Sequence, residues 1–313
     1  MLVNPKAMFR VARPPYAFQP LQILRRLRMQ YLWKSKNVAT IRLPWGLDIK
    51  VNPHEAIGSN IAGQGVYETA VTETLWRLTD PGDLAVDVGA NLGYSASIFA
   101  VRVGHRGHVL CFEPHPDVFV TLQGNVELWK RNERCGSFDL RQVALGEENG
   151  ISFLHTNDWF RTNRGTAWVS LDEIGGPNET ICRVQVQALD GILNNQTVGI
   201  AKIDAEGSVL RVLKGMRNLL SQHRVRDIVF EEEAAFPAPT HTLLREHGYF
   251  ILGLEERFGG VSVLPDASPH FDREIGPTPN YLATLDLERA TRRLTPSVWR
   301  SFGPAGRVLG DLR

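Results

Sequence analysis

The stretch Val86-Asp87-Val88-Gly89-Ala90-Asn91-Leu92-Gly93 decides the fold. A short apolar segment runs into a turn with two glycines and then into a helix pattern, which predicts a strand, a tight turn and a helix. Glycine at such a turn lets the backbone approach a ligand that a Cβ would exclude, and tight packing at a crossover is the alternative explanation. Because Asn91 stands where the dinucleotide-binding fingerprint needs a glycine, the spacing argues against a pyrophosphate ligand.

The alternation of strands and helices continues along the chain. We predict strands at 84–88, 109–112, 138–143, 199–203 and 228–230, and helices at 94–101, 116–129 and 209–220. Strands that alternate with helices of this length form a parallel sheet with helices on both faces. Residues 249–254 and 281–285 have strand character without a helix between them, which predicts an antiparallel pair at the sheet edge. The fold class is therefore α/β, doubly wound and mostly parallel.

An accessory segment precedes this pattern. Residues 38–51 alternate around Pro44-Trp45-Gly46 and predict a hairpin outside the main sheet, and a helix is expected at 67–78. Residues 1–47 carry nine basic and no acidic side chains, whereas the whole chain has 35 basic and 34 acidic ones. Apolar residues at helical spacing beside three arginines predict an amphipathic helix there: Ile23, Leu24, Leu27 and Tyr31. We expect it to pack on the body of the protein, with a membrane surface or nucleic acid as the alternatives.

Composition excludes several classes of protein. The 313 residues are 43% hydrophobic and 22% charged, which are ordinary globular values. No apolar run reaches the roughly 18 residues that span a bilayer, and we find no secretory signal pattern. Three cysteines, Cys111, Cys135 and Cys182, are too few for a disulfide framework, so a reducing cytoplasm is expected. We divide the chain into a basic accessory segment at 1–64, a main domain at 65–290 and a C-terminal tail at 291–313.

Two further features place carboxylates at the carboxyl edge of the predicted sheet. Glu113 ends the strand after the glycine turn, 24 residues beyond Gly89, where a carboxylate can accept both hydrogen bonds of a ribose diol. Asp204 and Glu206 follow the fourth predicted strand, within Lys202-Ile203-Asp204-Ala205-Glu206-Gly207. The alternatives are a surface acid for Glu113 and helix capping for Asp204 and Glu206.

These motifs together resemble the FkbM-type family of S-adenosylmethionine-dependent methyltransferases. The resemblance covers about half of the chain and includes residues 86–93 and 202–207 described above. The other motifs that carry it are Gly65-Val66-Tyr67-Glu68, Pro81-Gly82-Asp83, Phe112-Glu113-Pro114 and Val143-Ala144-Leu145-Gly146. It implies a class I, Rossmann-like methyltransferase fold, with S-adenosylmethionine bound over the carboxyl edge of the first strands.

The resemblance also implies roles for single residues. Gly89 and Gly93 flank the methionine part of the cofactor, and Asp87 lies near its amino group. Glu113 holds the ribose, and Ala144 lies beside adenine. Two residues complete the predicted cofactor-binding set: Asn91, in the glycine turn, and Asp204.

The implied reaction is methyl transfer to the oxygen of a hydroxyl group on a small molecule or glycan, including lipid-linked and polyketide-like acceptors. In-line attack requires the acceptor to be held in position and its proton to be removed. Asp204 is the first candidate base and Glu206 the second. Aromatic residues at 155–181 predict acceptor contacts at Trp159 and Trp168, and Glu231 adds a carboxylate at the same edge. We predict no metal here, since a solvated acidic rim explains the glutamates at 231–233.

Two other functions stay open from the sequence alone. The basic arm suits a protein that binds nucleic acid or a membrane surface and keeps only a vestigial cofactor site. A dehydrogenase would use the same architecture. We expect no nucleic-acid partner, because residues 204–207 stand where methyltransferases of base amines resemble one another in an Asn/Asp-Pro-Pro-aromatic motif. An acidic body also repels a phosphate backbone.

Overall fold

The structure is a computed structural model that describes residues 38–156, 160, 167–170, 179–265, 278–296 and 298–301. The amphipathic helix predicted around residues 23–31 lies outside the described residues, as does Trp159.

The described residues form fourteen strands and nine α-helices. The strands are β1 (Ala39–Arg42), β2 (Asp48–Val51), β3 (Leu84–Val88), β4 (His108–Phe112), β5 (Ser137–Arg141), β6 (Ala144–Leu145), β7 (Gly150–Thr156), β8 (Trp168–Ser170), β9 (Thr180–Gln187), β10 (Val198–Ile203), β11 (Val225–Glu231), β12 (Phe250–Arg257), β13 (Gly260–Pro265) and β14 (Asn280–Thr284). The helices are α1 (Ala56–Gln64), α2 (Thr69–Leu78), α3 (Tyr94–Val103), α4 (Pro116–Trp129), α5 (Leu189–Leu193), α6 (Val209–Lys214), α7 (Arg217–Ser221), α8 (Pro239–Glu246) and α9 (Leu287–Leu294).

The central sheet has eight strands in the order β5-β4-β3-β10-β11-β14-β12-β13. The first five of these are parallel to one another. Alternate residues of each strand enter two hydrophobic clusters: Ala85 and Ile200 belong to one cluster, and Val86 and Ala201 to the other. A sheet buried on both faces in this way is the doubly wound, mostly parallel architecture that the sequence predicts.

The C-terminal strands pair as predicted, but they do not form the edge of the sheet. β14 lies between β11 and β12 and is antiparallel to both. The outermost strand is β13, which the sequence analysis did not predict. It pairs with β12 along its whole length, from Gly260 opposite Arg257 to Pro265 opposite Leu252. Proline can stand there because an edge strand leaves its outer backbone amides unpaired.

A second sheet occupies a region that the sequence pattern left irregular. Its four strands follow the order β6-β9-β7-β8, and β7 pairs antiparallel with both β8 and β9. The predicted strand at 138–143 accordingly ends at Arg141, and Ala144 begins the second sheet. Among the described residues, the hydrophobic core of this sheet consists of Ala144, Leu154 and Val184, and several other buried positions of β7 are polar. Weak hydrophobic contrast explains why the pattern predicts no sheet here.

The single helix predicted at 209–220 is two short helices, α6 and α7. The chain turns at Gly215, where an added Cβ would lie 1.9 Å from the carbonyl oxygen of Gly146. The Asp190 carboxylate accepts hydrogen bonds from the backbone amides of Asn218 and Leu219, at 2.9 and 3.0 Å. These tertiary contacts stabilise a second helix start, which helical periodicity alone does not reveal.

The predicted hairpin, β1 with β2, forms a separate two-stranded sheet. It packs on the main domain through Trp45, which is buried and donates from Nε1 to Ser97 Oγ at 3.1 Å. The Trp129 side chain of α4 in turn donates to the carbonyl oxygen of Asp48 at 2.7 Å. Buried indole groups that find such partners fix the hairpin against the helices.

A buried ion pair on α2 holds the chain after α9. Glu73 and Arg77 lie one helical turn apart, and their side chains are 0% and 1% exposed. Arg77 Nε is 2.5 Å from Glu73 Oε1. Arg77 donates to the carbonyl oxygens of residues 293, 296 and 298. Glu73 accepts hydrogen bonds from the backbone amides of residues 300 and 301, at 2.8 and 2.9 Å. We call these contacts the C-terminal clamp. α9 crosses position 290, and through the clamp residues 293, 296, 298, 300 and 301 contact α2.

Helix length and polarity bear on membrane insertion. In the described part of the chain, every helix is too short or too polar to cross a bilayer.

Candidate active site

A cavity of about 330 Å³ lies at the carboxyl edge of the parallel strands. Segments that follow β3, β4, β5 and β10 line it, together with the residues before α2. Ligands of doubly wound sheets bind at this edge, because the turns that leave the strands converge there. Most of the predicted cofactor-binding residues line the cavity: Gly89, Asn91, Glu113, Ala144 and Asp204.

Gly89 makes the turn after β3 possible. Its φ angle is +72°, and a Cβ would lie 1.9 Å from the backbone oxygen of Asp204. The amides of Gly89 and Ala90 both donate to the carbonyl oxygen of Phe112, at 3.0 and 2.9 Å. The backbone amide of Asp204 donates to the carbonyl oxygen of Val88 at 3.0 Å. The glycine therefore lets three strand ends meet, and its close contact is with the backbone of this chain.

Gly93 has a structural role at the start of α3. Its φ angle is +93°, and an added Cβ would lie 2.8 Å from Leu122 and 3.0 Å from the ring of Trp129. Gly93 is not among the residues that line the cavity. The glycine thus permits close packing of α3 against α4.

Glu113 is held by the backbone of two turns. One carboxylate oxygen accepts from the amide of Asn91 and the other from the amide of His115, each at 2.9 Å. Burial raises the pKa of Glu113 to about 7, although both hydrogen bonds act to lower it. Each oxygen keeps a second lone pair for a ligand. Asn91 itself adopts a left-handed φ of +49°, which its side chain supports by accepting from the Leu92 amide at 2.7 Å.

Four further carboxylates line the cavity: Glu68, Asp204, Glu206 and Glu231. Burial and the neighbouring Asp204 raise the pKa of Glu206 to about 7. Burial, with Asp204 and Glu68 nearby, also raises the pKa of Glu231. A single lysine, Lys202, lines the cavity beside them and donates to Asp204 Oδ2 at 2.7 Å. This part of the cavity therefore favours a positively charged ligand.

Helix capping does not explain Asp204 or Glu206. The helix that follows begins at Val209 and its N-cap is Ser208, so both carboxylates precede the helix. The capping alternative raised by the sequence is wrong for this reason.

Asp87 lies beneath the cavity and is fully buried. It does not line the cavity, and burial raises its pKa to about 6 while Lys202 acts to lower it. Neither carboxylate oxygen has a hydrogen-bond partner of normal geometry among the described residues. The backbone amide of Ala96 has only a small lowering effect on the pKa of Asp87. Asp87 of β3 lies directly opposite Lys202 of β10. The Asp87 charge can therefore influence the cavity through Lys202, which lines it.

Apolar side chains from the second sheet cover one side of the cavity. They include Leu145 and Leu154, with Ala167 and Val169 from β8 and the residue before it. Trp168 stands between the last two residues and does not line the cavity; its ring stacks on His155 with centroids 5.6 Å apart. Phe160 packs against His115, with ring centroids 4.5 Å apart. The role of Trp168 in acceptor binding stays a prediction.

A second cavity, of about 420 Å³, adjoins the first. Asp204, Ala205, Glu206 and Glu231 line both cavities. Beyond them, the second cavity is lined by Leu210, Glu232, Glu233, Pro239 and Thr240, among others. Glu232 is held there by hydrogen bonds from Thr240 and the amide of Ala234. Three carboxylates thus stand where the two cavities meet. Within the described ranges, no group of three or more His, Cys, Asp or Glu side chains is arranged to hold a metal ion.

Sequence reasoning missed three residues of the site: Tyr67, Glu68 and Lys202. Glu68 is the N-cap of α2 in a left-handed conformation, with a φ angle of +42°. Burial raises the pKa of Glu68, and the same burial with nearby carboxylates raises that of Tyr67. All three residues stand in motifs that carry the family resemblance, at residues 65–68 and 202–207. The resemblance is the signal that could have revealed them.

A mostly parallel sheet with one inserted antiparallel strand, a glycine turn after its central strand and a cavity at the carboxyl edge define a class I methyltransferase fold. The family model described as the methyltransferase FkbM domain matches residues 87–251, more than half of the chain. The chain belongs to the FkbM methyltransferase family, as the sequence resemblance predicts.

Named relatives cover different shares of the chain. The 31-O-demethyl-FK506 methyltransferase FkbM of Streptomyces tacrolimicus is 29% identical over an alignment of 264 positions, and the match covers 73% of this chain and 96% of that protein. Methyltransferase 1 of Beauveria bassiana is 28% identical over an alignment of 149 positions, and that match covers 42% of this chain and 57% of that protein. The crystal structure of methyltransferase FkbM from Methylobacillus flagellatus is 19% identical with a TM-score of 0.39, and the match covers 71% of this chain. The same match covers 52% of the Methylobacillus flagellatus chain. Our chain therefore spans little more than half the length of that protein and of the Beauveria bassiana protein.

Proposed function

We propose that this protein is an S-adenosylmethionine-dependent O-methyltransferase that acts on a hydroxyl group of a small molecule or glycan. One observation carries the proposal: Asp204, Glu206 and Glu231 line two adjoining cavities, and the first of these also contains Glu113. A cofactor in the first cavity and an acceptor in the second would meet at those carboxylates.

The residues of the first cavity fit S-adenosylmethionine. Glu113 presents a fixed carboxylate to a ribose diol, and the apolar wall around Ala144 and Leu145 suits an adenine ring. The acidic part of the cavity, with Glu68 and Glu231, complements the ammonium and sulfonium charges. When bound, the cofactor supplies a methyl group on a positively charged sulfur.

The carboxylates at the junction would remove the proton of the acceptor hydroxyl. Asp204 is the first candidate, because it lines both cavities and its Oδ2 is held 2.7 Å from the Lys202 ammonium. Glu206 is the second candidate, because a group whose pKa is about 7 can both accept and release a proton near neutral pH. Holding the acceptor in line would add to the rate through orientation alone.

Transfer to oxygen is supported by the relative from Streptomyces tacrolimicus. Its name, 31-O-demethyl-FK506 methyltransferase, specifies an oxygen as the methyl acceptor. The test is a screen of hydroxylated sugars, polyketides and lipid-linked glycans with labelled S-adenosylmethionine. We expect label on a hydroxyl oxygen of at least one acceptor class. Preferential binding of a nicotinamide cofactor would instead support a dehydrogenase.

Replacing Glu113 with alanine is expected to weaken S-adenosylmethionine binding at least tenfold. The loss of a charged hydrogen-bond acceptor typically costs about 1.5 to 3 kcal/mol. Calorimetric titration measures the effect, and Glu148→Ala serves as the control because Glu148 is exposed and outside the cavity. Unchanged affinity in a folded Glu113→Ala protein would rule out ribose binding by this residue.

Binding of S-adenosylmethionine is expected to release protons between pH 6 and 8. Burial raises the pKa of Glu113 and Glu206 to about 7 from an ordinary value of 4.5. A cationic ligand favours the ionised carboxylates, so affinity should rise with pH through this range. Calorimetry in two buffers of different ionisation enthalpy measures the released protons. An affinity that is flat from pH 5.5 to 8 contradicts the expectation.

The same raised pKa values predict the opposite pH dependence for the stability of the ligand-free protein: stability falls as pH rises. A carboxyl whose pKa is raised in the folded state stabilises the fold when protonated, and that contribution is lost as pH rises through about 7. The melting temperature should therefore fall between pH 5.5 and 8. We expect a smaller fall in the Glu113→Gln/Glu206→Gln variant, which lacks both titrating groups.

A further inference from the structure

Lys202 is a buried cation in the central sheet. It is the penultimate residue of β10 and lies opposite Asp87 of β3 and Val229 of β11. Its side chain is 9% exposed, and its ammonium nitrogen is 2.7 Å from Asp204 Oδ2. An ammonium removed from water in this way is costly unless carboxylates compensate it.

Three carboxylates provide that compensation from three different elements. Asp87 faces Lys202 from β3, Glu68 from the start of α2, and Asp204 from the end of its own strand. The neighbour on β11, Val229, is apolar. Together the carboxylates raise the pKa of Lys202 above its usual value, even though burial acts to lower it. Lys202 is therefore charged at neutral pH.

We propose that Lys202 is a positioning residue for methyl transfer, which fixes the Asp204 carboxylate at the junction of the two cavities. The inference rests on the proposed function, because it assigns Asp204 a task in that reaction. Lys202 lines only the first cavity, whereas Asp204 lines both, so the lysine holds the carboxylate from the cofactor side. Transfer of the acceptor proton to Asp204 would then occur on the side of the second cavity.

A purely structural role for Lys202 makes a different prediction. In that case the lysine would only neutralise Asp87, and its loss would lower stability without changing how the rate depends on pH. A positioning role predicts that loss of the lysine changes both the rate of methyl transfer and its pH dependence, because the ammonium contacts Asp204 directly.

The test compares Lys202→Met with Lys214→Met in the full chain. Lys214 also pairs with a glutamate, Glu147, at 3.4 Å, but its side chain is 33% exposed. We expect Lys202→Met to lower the single-turnover methylation rate roughly 10- to 100-fold and to move its pH midpoint upward by about one unit. Lys214→Met should change neither. If Lys202→Met does not fold, Lys202→Met/Asp87→Asn removes both buried charges and takes its place.

A double variant, the pH midpoint and one readout without acceptor decide the proposal. If Lys202 acts through Asp204, then Lys202→Met/Asp204→Asn should be no slower than Asp204→Asn alone. Multiplied losses, or an unchanged pH midpoint in Lys202→Met, would overturn it. A readout without acceptor is the carboxyl carbon signal of Asp204: its chemical shift should change in Lys202→Met and not in Lys214→Met, because only Lys202 contacts Asp204. An unchanged signal in Lys202→Met contradicts the proposal. A wild-type protein that methylates nothing in the acceptor screen instead refutes the proposed function.

Discussion

Asp204→Asn is expected to keep S-adenosylmethionine binding and to lower the single-turnover methylation rate by roughly 10² to 10⁴. The substitution preserves the size and shape of the side chain but removes the group that would take the acceptor proton. Because Asp204 lines both cavities, a loss confined to the chemical step would place the reaction at their junction. The measurement is a rapid-mixing single turnover at saturating cofactor, with calorimetry for binding.

Glu206→Gln is the matched comparison for Asp204→Asn. Both residues line the two cavities, and both substitutions remove one charge without changing shape. If Asp204→Asn retains the full rate and Glu206→Gln loses it, the two roles are reversed. If both variants retain the full rate, neither carboxylate is the base and catalysis depends mainly on positioning.

Gly89→Ala should destabilise the protein by roughly 3 kcal/mol or more and abolish measurable cofactor binding. Its φ angle of +72° disfavours alanine, and the new Cβ would lie 1.9 Å from the backbone oxygen of Asp204. Relief of that overlap requires the turn after β3 and the end of β10 to separate. The same movement displaces the cavity wall. Chemical denaturation and calorimetry on the folded fraction measure the two effects.

Gly82→Ala separates the steric effect from the conformational one. Gly82 has a φ angle of +86°, but an added Cβ there meets nothing within 4 Å. We expect it to cost only about 1 kcal/mol and to leave cofactor binding unchanged. Equal destabilisation by the two alanines would show that close contact with Asp204 is unimportant.

Local sequence signals predicted the parts of the site that follow strands. The glycine turn, Glu113 and Asp204 each come directly after a buried apolar segment, and parallel strands bring their carboxyl ends to one edge. β3 and α4 have the bounds that the pattern predicted, because continuous burial and a proline at the helix start are strong local signals.

Residues that reach the site by tertiary packing could not be predicted in this way. Glu68 follows no strand, and it reaches the cavity because α2 begins there. Lys202 sits within an apolar strand, where nothing local indicates that its charge is matched by Asp87 on the neighbouring strand. The break between α6 and α7 likewise depends on Gly146 and Asp190, which are distant in sequence. Such contacts are set by the whole fold, so periodicity and spacing do not contain them.

The C-terminal clamp constrains the path of the backbone more than it constrains the identity of the side chains. Arg77 contacts carbonyl oxygens and Glu73 contacts amide groups, and every residue except proline offers both kinds of group. Positions 298 and 300, whose side chains are exposed, should therefore accept many replacements over evolution. Insertion or deletion of one residue between 294 and 300 would move the amides out of reach and leave the buried Glu73–Arg77 pair without its backbone hydrogen bonds. In this segment, length is under stronger constraint than identity.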